Sequence, residues 1–398
     1  MSTVSGRTPG QVQAWLLLIA SCLPVLGAVL LAPVLPAMQA HFADVPHAAE
    51  LVPVALTLPA LLVGLLGGVA GMLIDRYGRK RLLLGAMVVY TFFGTMPLWL
   101  DSLPMILFSR AGIGLAEAVV MIGCTTLIGD YFHAERRDKL LALQTVVTSF
   151  SATVFIVAGG AMGEFGWRAP FVLYTAGIVF LPLFYWLTWE PHREQAAVTE
   201  VPQMHHLPWA QLALIYPLVL CAGLALFVVP VQAGYLLNLI GVDSPAQIGV
   251  TMGLNQLGVL IGALSFRWFA RRSPPVLLLC SFSLAGVAVL LMSQAQSHAL
   301  MGVAVTVAGI GCGLMIPTLL RWTLSLVGFE LRGRATGGFM ACFFGGEFLS
   351  PLLVVLLMVN GSSLRRALAV VGVGLLLVAL GCVLLGRRKS LARSVASV

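Results

Sequence analysis

Charge is what this sequence has least of. Only 10% of its 398 residues are Asp, Glu, Lys or Arg, against about 25% in an average soluble domain. With 59% hydrophobic residues and a mean hydropathy of +0.99, the chain is excluded from the class of soluble globular proteins, because water would meet too much apolar surface. The seven cysteines, at positions 22, 124, 221, 280, 312, 342 and 382, show no CxxC or Cys/His ligand spacing, so a disulfide framework and a thiolate metal site are not expected. They read as small packing hydrophobes. The phosphate-binding pattern G-x-x-x-x-G-K-[S/T] is missing, which removes nucleotide hydrolysis as an energy source. No histidine falls inside an apolar run, and no nucleophile and base stand in an arrangement suited to catalysis. No metal, no cofactor and no enzymatic activity are expected. The net charge of +8 is scattered in short clusters and builds no continuous basic face, so nucleic acid is not an expected partner.

What is present is a series of long apolar runs. A helix that crosses the hydrocarbon needs about 20 mainly apolar residues. Such runs recur near 12–38, 51–74, 82–101, 103–128, 140–163 and 169–189, and again near 210–239, 246–270, 274–294, 298–326, 336–359 and 364–386. An all-α membrane protein of twelve transmembrane helices follows. The segment 190–209 carries three prolines and several charges, and reads as a cytoplasmic linker between a half at 1–189 and a half at 210–398. The first run is too long for a cleaved signal peptide and is followed by eleven more. Basic residues are retained on the cytoplasmic side. Placing both termini there puts 18 of the 23 Lys and Arg inside and three (Arg168, Arg365, Arg366) outside. The pattern E-x-R-x-[K/R] at Glu135–Lys139 returns at Glu330–Arg334, after the fourth and tenth runs respectively, which suggests two halves related by an axis along the membrane normal.

Between the second and third runs lies Gly71-Met72-Leu73-Ile74-Asp75-Arg76-Tyr77-Gly78-Arg79-Lys80-Arg81. On physical grounds Gly71 permits close helix approach, Gly78 a tight reversal, and Asp75 stands among cations. Charge alone equally allows a mere topological anchor. The stretch resembles the loop signature G-x-L-x-D-R-x-G-R-[R/K] of the major facilitator superfamily. That resemblance implies two pseudo-symmetric six-helix bundles and a secondary transporter working as a monomer. It also implies a conformational latch at Gly71, Asp75, Arg76, Gly78 and Arg79. In such a latch Asp75 faces the N-terminus of a helix of the opposite half, and Arg79 pairs with Asp130. Pro36, Arg110 with Gly114, Gly166–Phe171 and Gly345–Pro351 are similar to the drug/proton antiporter branch. One departure stands against it. That branch carries a Gly-Pro pair in the fifth helix, where this chain has Val154 and Phe155 before Gly159-Gly160.

Four ionisable residues lie at membrane depth: Arg110, Glu117, Arg321 and Glu347. Such charges are costly to keep and mark function or helix pairing. Arg110 and Glu117 are seven residues apart and share one helix face, expected to line a cavity. The resemblance gives the fourth-helix arginine a part in proton coupling. Glu117, near the middle of its run, is the candidate proton carrier, the alternative being a structural role between helices. Glu347 is equally open to coupling, substrate contact or a plain interhelical hydrogen bond. Arg321 lies near a run end and is expected to snorkel. Gln232, Tyr235 and Asn238, with Asn255 and Gln256, are polar at plausible cavity depth, either to bind substrate or to join helices. The reading that follows is proton-coupled export of a small organic or amphiphilic molecule across a bacterial inner membrane. The alternative is a proton symporter or facilitator importing a vitamin, sugar or carboxylate.

Overall fold

The computed structural model describes residues 8–191, 207–328, 331–359 and 361–395. Most of the 190–209 segment and Glu330 of the repeated loop motif therefore lie outside the described residues. Among the described residues, twelve helices are long and apolar enough to cross a membrane: span 1, Gln11–His41; span 2, Ala48–Tyr77; span 3, Arg79–Leu98; span 4, Leu103–Tyr131; span 5, Ala134–Gly163; span 6, Ala169–Leu187; span 7, Trp209–Asn238; span 8, Pro245–Phe269; span 9, Pro274–Gln294; span 10, His298–Ser325; span 11, Arg332–Met358; span 12, Leu364–Leu384. Their order matches the apolar runs, since hydrocarbon leaves the backbone no partner but its own helix. Span 1 is interrupted. It passes from α-helix at Leu23–Val29 through a short 3-10 turn at Ala32–Val34 into Leu35–His41, with Pro33 and Pro36 removing backbone donors at the breaks.

Spans 1–6 form one bundle and spans 7–12 a second, here called the amino and carboxy bundles. Spans 2 and 4 pack together, as do 8 and 10; span 3 lies on 4 and 6, and span 9 on 10 and 12. The bundles meet where span 5 crosses span 8 and where span 2 crosses span 11, contacts that exchange under the pseudo-twofold relation. The connections at 78, 132–133, 188–191 and 270–273 share one end of the molecule, the basic end, which carries Arg76, Arg79, Lys80 and Arg81. The opposite, far end holds the connections at 42–47, 99–102, 164–168 and 239–244.

The two ends are packed differently. Toward the far end, Gly160 and Gly249 bring the backbones of spans 5 and 8 together, and a Cβ on either would meet the other's Cα at 2.9 Å or the backbone beside it. Gly163 lies against the side chains of Val34 and Pro245, and Gly234 of span 7 against the Pro36 ring of span 1. Between spans 2 and 11, Gly64 sits against Phe344 and Met340. One and two turns closer to the basic end, Gly68 and Gly71 on the same face of span 2 have nothing within 4 Å of a Cβ position, and neither have Gly337 and Gly333 of span 11. The two helices diverge toward the basic end.

Candidate functional site

The chemistry of the amino bundle converges on span 4. Its residue Arg110 is fully buried, and its three side-chain nitrogens each donate to a different helix. Nε reaches the Ala55 carbonyl of span 2 at 2.9 Å, Nη1 the Tyr174 hydroxyl of span 6 at 2.6 Å, and Nη2 the Gly27 carbonyl of span 1 at 2.8 Å. The Ala55 carbonyl has no helical donor because the residue four further on, Pro59, lacks an N–H, and the Gly27 carbonyl lies in the last turn before span 1 breaks at Ala32–Val34. The guanidinium also stands 5.5 Å from the centre of the Tyr174 ring. That ring packs on Tyr90 of span 3 at 5.2 Å, and the Tyr90 hydroxyl donates to the Leu23 carbonyl of span 1 at 3.1 Å. A cation held by three carbonyl or hydroxyl acceptors in the interior is satisfied without a carboxylate.

Glu117 lies two turns along the same face and is 2% exposed. Its carboxyl occupies the space where Gly27 lacks a side chain: the Oε2 atom is 3.1 Å from the position a Cβ would take there, and the rest of the group is closer. Gly27 thus serves both residues, its carbonyl receiving Arg110 and its missing side chain admitting Glu117. The Glu117 Oε1 atom is buried without a hydrogen-bond partner among the described residues. The sequence expectation that this face lines a cavity needs correcting. Arg110 and Glu117 point into the amino bundle itself, because spans 1, 2 and 6 supply the acceptors that the guanidinium needs.

Glu347 of span 11 is 3% exposed and has no hydrogen bond or ion pair to another described side chain. It belongs to the other bundle, where Gly223 and Gly346 press the backbones of spans 7 and 11 together. Structure and sequence agree that it is buried; it is not brought together with Arg110 and Glu117. Arg321 reaches the Ala270 carbonyl at the basic end of span 8 and is exposed, the snorkelling geometry that its place in the run predicts. Asn255 donates to the Val305 carbonyl of span 10 at 2.8 Å and so joins helices.

Gln232, Tyr235 and Asn238 lie within the last seven residues of span 7, near the far end. Two adjoining recesses of about 560 Å³ and about 260 Å³ open there between the bundles. Both are lined by Gln39, Ala49, Glu50 and Tyr235; Asn238 lines the first and Gln232 the second.

At the basic end, Arg79 donates to Asp130 at 2.8 Å and lies 3.7 Å from Asp75. Arg76 stacks over Tyr77, its guanidinium 5.4 Å from the ring centre. Sequence reasoning missed Glu190. Its carboxylate accepts the backbone N–H groups of Arg79 and Lys80 at 2.7 and 3.0 Å, capping span 3 from the end of span 6 where the helix dipole favours an anion. Gly78, at φ +96°, makes the reversal into that cap, and a side chain there would meet the Glu190 carboxylate. The sequence signal was a lone acid before Pro191 in a connection read as linker. Glu164, also missed, crosses between bundles at the far end. It accepts from the Ser244 hydroxyl at 2.5 Å and the Ala246 N–H at 3.0 Å, at the start of span 8. These two donors hold its carboxyl below the ordinary carboxylate range.

A family model described as Major Facilitator Superfamily matches residues 17–243 and 217–397. "Solute carrier family 2, facilitated glucose transporter member 10" of Mus musculus is 34% identical over 143 residues, 33% of this chain and 26% of that protein. The chain thus spans only about a quarter of that relative and of its human counterpart. The 3-(3-hydroxy-phenyl)propionate transporter of Escherichia coli (strain K12) is 26% identical over 344 residues and the match covers 83% of each chain. Among solved structures, a bacterial homolog to the human lysosomal transporter Spinster, in an inward-facing and unoccupied conformation, superposes with a TM-score of 0.76 at 15% identity, covering 96% of this chain and 98% of that one. This last likeness concerns the fold alone.

Proposed function

The chain belongs to the major facilitator superfamily and is a multi-pass membrane transport protein, and from that premise we propose that it exports a small neutral or cationic organic molecule in exchange for protons. The observation that carries this reading is the Glu117 carboxyl, buried with Oε1 unpartnered, on the face of a span whose arginine is already engaged by three helices. A carboxylate buried there, with the Arg110 guanidinium already engaged by three other acceptors, carries a desolvation cost that a bound proton removes. Glu117 therefore loads and releases a proton as the bundles rock, and Arg110 holds spans 1, 2, 4 and 6 in register while it does so. Glu347 is the second carboxyl of the route, in the opposite bundle. Among the described residues, the buried ionisable side chains at membrane depth are two carboxyls without hydrogen-bonded partners and one cation whose donors are satisfied. An anionic substrate finds little complementary charge there.

The arrangement is closed at the far end and parted between spans 2 and 11 at the basic end. With the basic end on the cytoplasmic side of a bacterial inner membrane and both termini there, as the distribution of Lys and Arg favours, this is the state that loads from the cytoplasm. The connection 190–209 joins halves 1–189 and 210–398, and one chain suffices. When the basic end closes, Asp75 swings toward the start of span 11, where the helix dipole favours an anion; Gly71, Gly78 and Arg76 shape that loop, and the Arg79–Asp130 pair anchors it.

The test is efflux of the fluorescent cation ethidium from energised cells stripped of their own pumps, with wild type compared against Glu117→Gln. Proton-driven efflux that the variant loses, while still reaching the membrane folded, supports the reading; full pH-dependent efflux by the variant overturns the proton assignment. A second reading has its own support. Val154 and Phe155 replace the Gly-Pro pair of the antiporter branch, and the relative matched over 83% of both chains is named for an aromatic acid. On that reading the chain takes up a small aromatic acid together with a proton, and uptake of labelled 3-(3-hydroxyphenyl)propionate without ethidium efflux would select it.

A further inference from the structure

We infer that the paired recesses at the far end form a binding site for a small organic amine in its cationic form, seated between the two bundles. Four features converge. The recesses share Gln39, Glu50 and Tyr235 as lining side chains, so an occupant of one touches the polar groups of the other. Their combined size matches the few hundred Å³ of small-molecule sites. Among the described residues the buried Tyr235 hydroxyl has no hydrogen-bond partner, and Gln232 is 4% exposed with no side-chain hydrogen bond. Native interiors satisfy such groups, and here the cavity beside them is where a partner fits.

Charge selects the ligand class. Glu50 is the acidic group that lines both recesses, and the basic side chain among the lining residues is His47, 78% exposed at the rim with its Nδ1 atom 3.7 Å from Glu50. A single carboxylate beside a tyrosine ring and amide oxygens suits one ammonium group with N–H donors. The smaller recess is otherwise walled by Pro53 and the far end of span 11, which suits an apolar or aromatic arm on the same molecule. Spans 1 and 2 supply one wall and spans 7 and 11 the other, so occupancy favours the far-closed arrangement. The site makes no use of the proton route through Glu117, and neither coupling nor direction of transport enters the argument.

The experiment uses the full chain in lipid nanodiscs and three probes of one shape: 2-phenylethylammonium, 2-phenylethanol and phenylacetate, titrated calorimetrically against empty nanodiscs. The cation is expected to bind most tightly. Glu50→Gln should weaken it by about tenfold or more and bring it level with the alcohol, and Tyr235→Phe should weaken it about threefold to tenfold; thermal melting confirms that each variant is folded. Failure of the cation to bind folded wild type overturns the proposal, as does tighter binding of phenylacetate. Binding that survives Glu50→Gln but disappears in the Glu117→Gln, Glu347→Gln double variant places the cation in the interior and also overturns it. Loss of ethidium efflux bears on the transport reading and leaves this titration untouched.

Discussion

The two bundles share a fold and close glycine-to-backbone contact, Gly114 on Pro59 and Gly159 on Leu30 in the amino bundle, but the amino bundle adds a buried cation to it. In the amino bundle a single buried side chain, Arg110, binds carbonyl and hydroxyl groups from spans 1, 2 and 6. In the carboxy bundle the close backbone contacts between spans 8 and 10 have no such cation beside them. Gly258 and Gly262 of span 8 meet Thr306 and Ile310 of span 10, and Gly309 and Gly313 return the contact at Asn255 and Val259. Close packing of small residues needs no buried charge and tolerates none of the side chains that would separate the helices. A buried guanidinium is costly to desolvate, so its retention in one bundle alone points to work beyond packing.

That contrast can be broken by mutation. The largest effect is expected from Arg110→Met, which leaves the Tyr174 hydroxyl and the Ala55 and Gly27 carbonyls without their donor. Destabilisation of about 3 kcal/mol or more should appear as a lowered melting temperature in detergent. Gly309→Val forces a branched side chain onto the Asn255 carbonyl and should cost about 1–3 kcal/mol by overpacking; a wild-type melt for this variant would mean that backbone contact is not what holds the carboxy bundle. Next in size, Glu347→Gln should slow proton-driven flux by about tenfold, a loss of about 1.4 kcal/mol of coupling, and by less than Glu117→Gln does. Equal losses in the two variants, measured by pyranine fluorescence in proteoliposomes, would erase the functional asymmetry between bundles. Asp75→Asn should reduce turnover severalfold while leaving substrate affinity unchanged, as read by the split between rate and half-saturation.

The smallest effect concerns the link across the far end. The Glu164 carboxyl is held below the ordinary carboxylate range by Ser244 and Ala246. A group depressed in this way contributes its stabilisation in full above its unperturbed value and loses it as pH falls through the depressed one. The far end should therefore stay closed at neutral pH and loosen only in acid. Spin-label distances between the far ends of spans 5 and 8 should lengthen on acidification in wild type, and Glu164→Gln should remove that dependence.

The twelve spans were legible because hydrocarbon demands long uncharged runs, and Arg110 and Glu117 because charge inside such runs stands out. Their partners were not. Gly27 is 83 residues from Arg110 and Tyr174 is 64 away, and a carbonyl or a missing side chain leaves no mark in hydropathy. Glu164 and Glu190 passed as loop acids, since their work is to cap helices distant in sequence. That Gln232, Tyr235 and Asn238 border recesses shared with spans 1 and 2 was not legible, because an apolar run does not reveal which residues of a distant span face it.

The glycine contact between spans 5 and 8 also sets a scale of motion. From Gly160 back to Ala134, span 5 extends about 39 Å at 1.5 Å per residue, while only a few residues lie beyond that contact on the other side. If the bundles rock about that contact, Gly160 and Gly249 become the fulcrum of a long, unequal lever. A tilt of about 10° there displaces the basic end by about 7 Å while the short arm hardly moves, so one methyl group added at the pivot acts on an opening most of a membrane's thickness away.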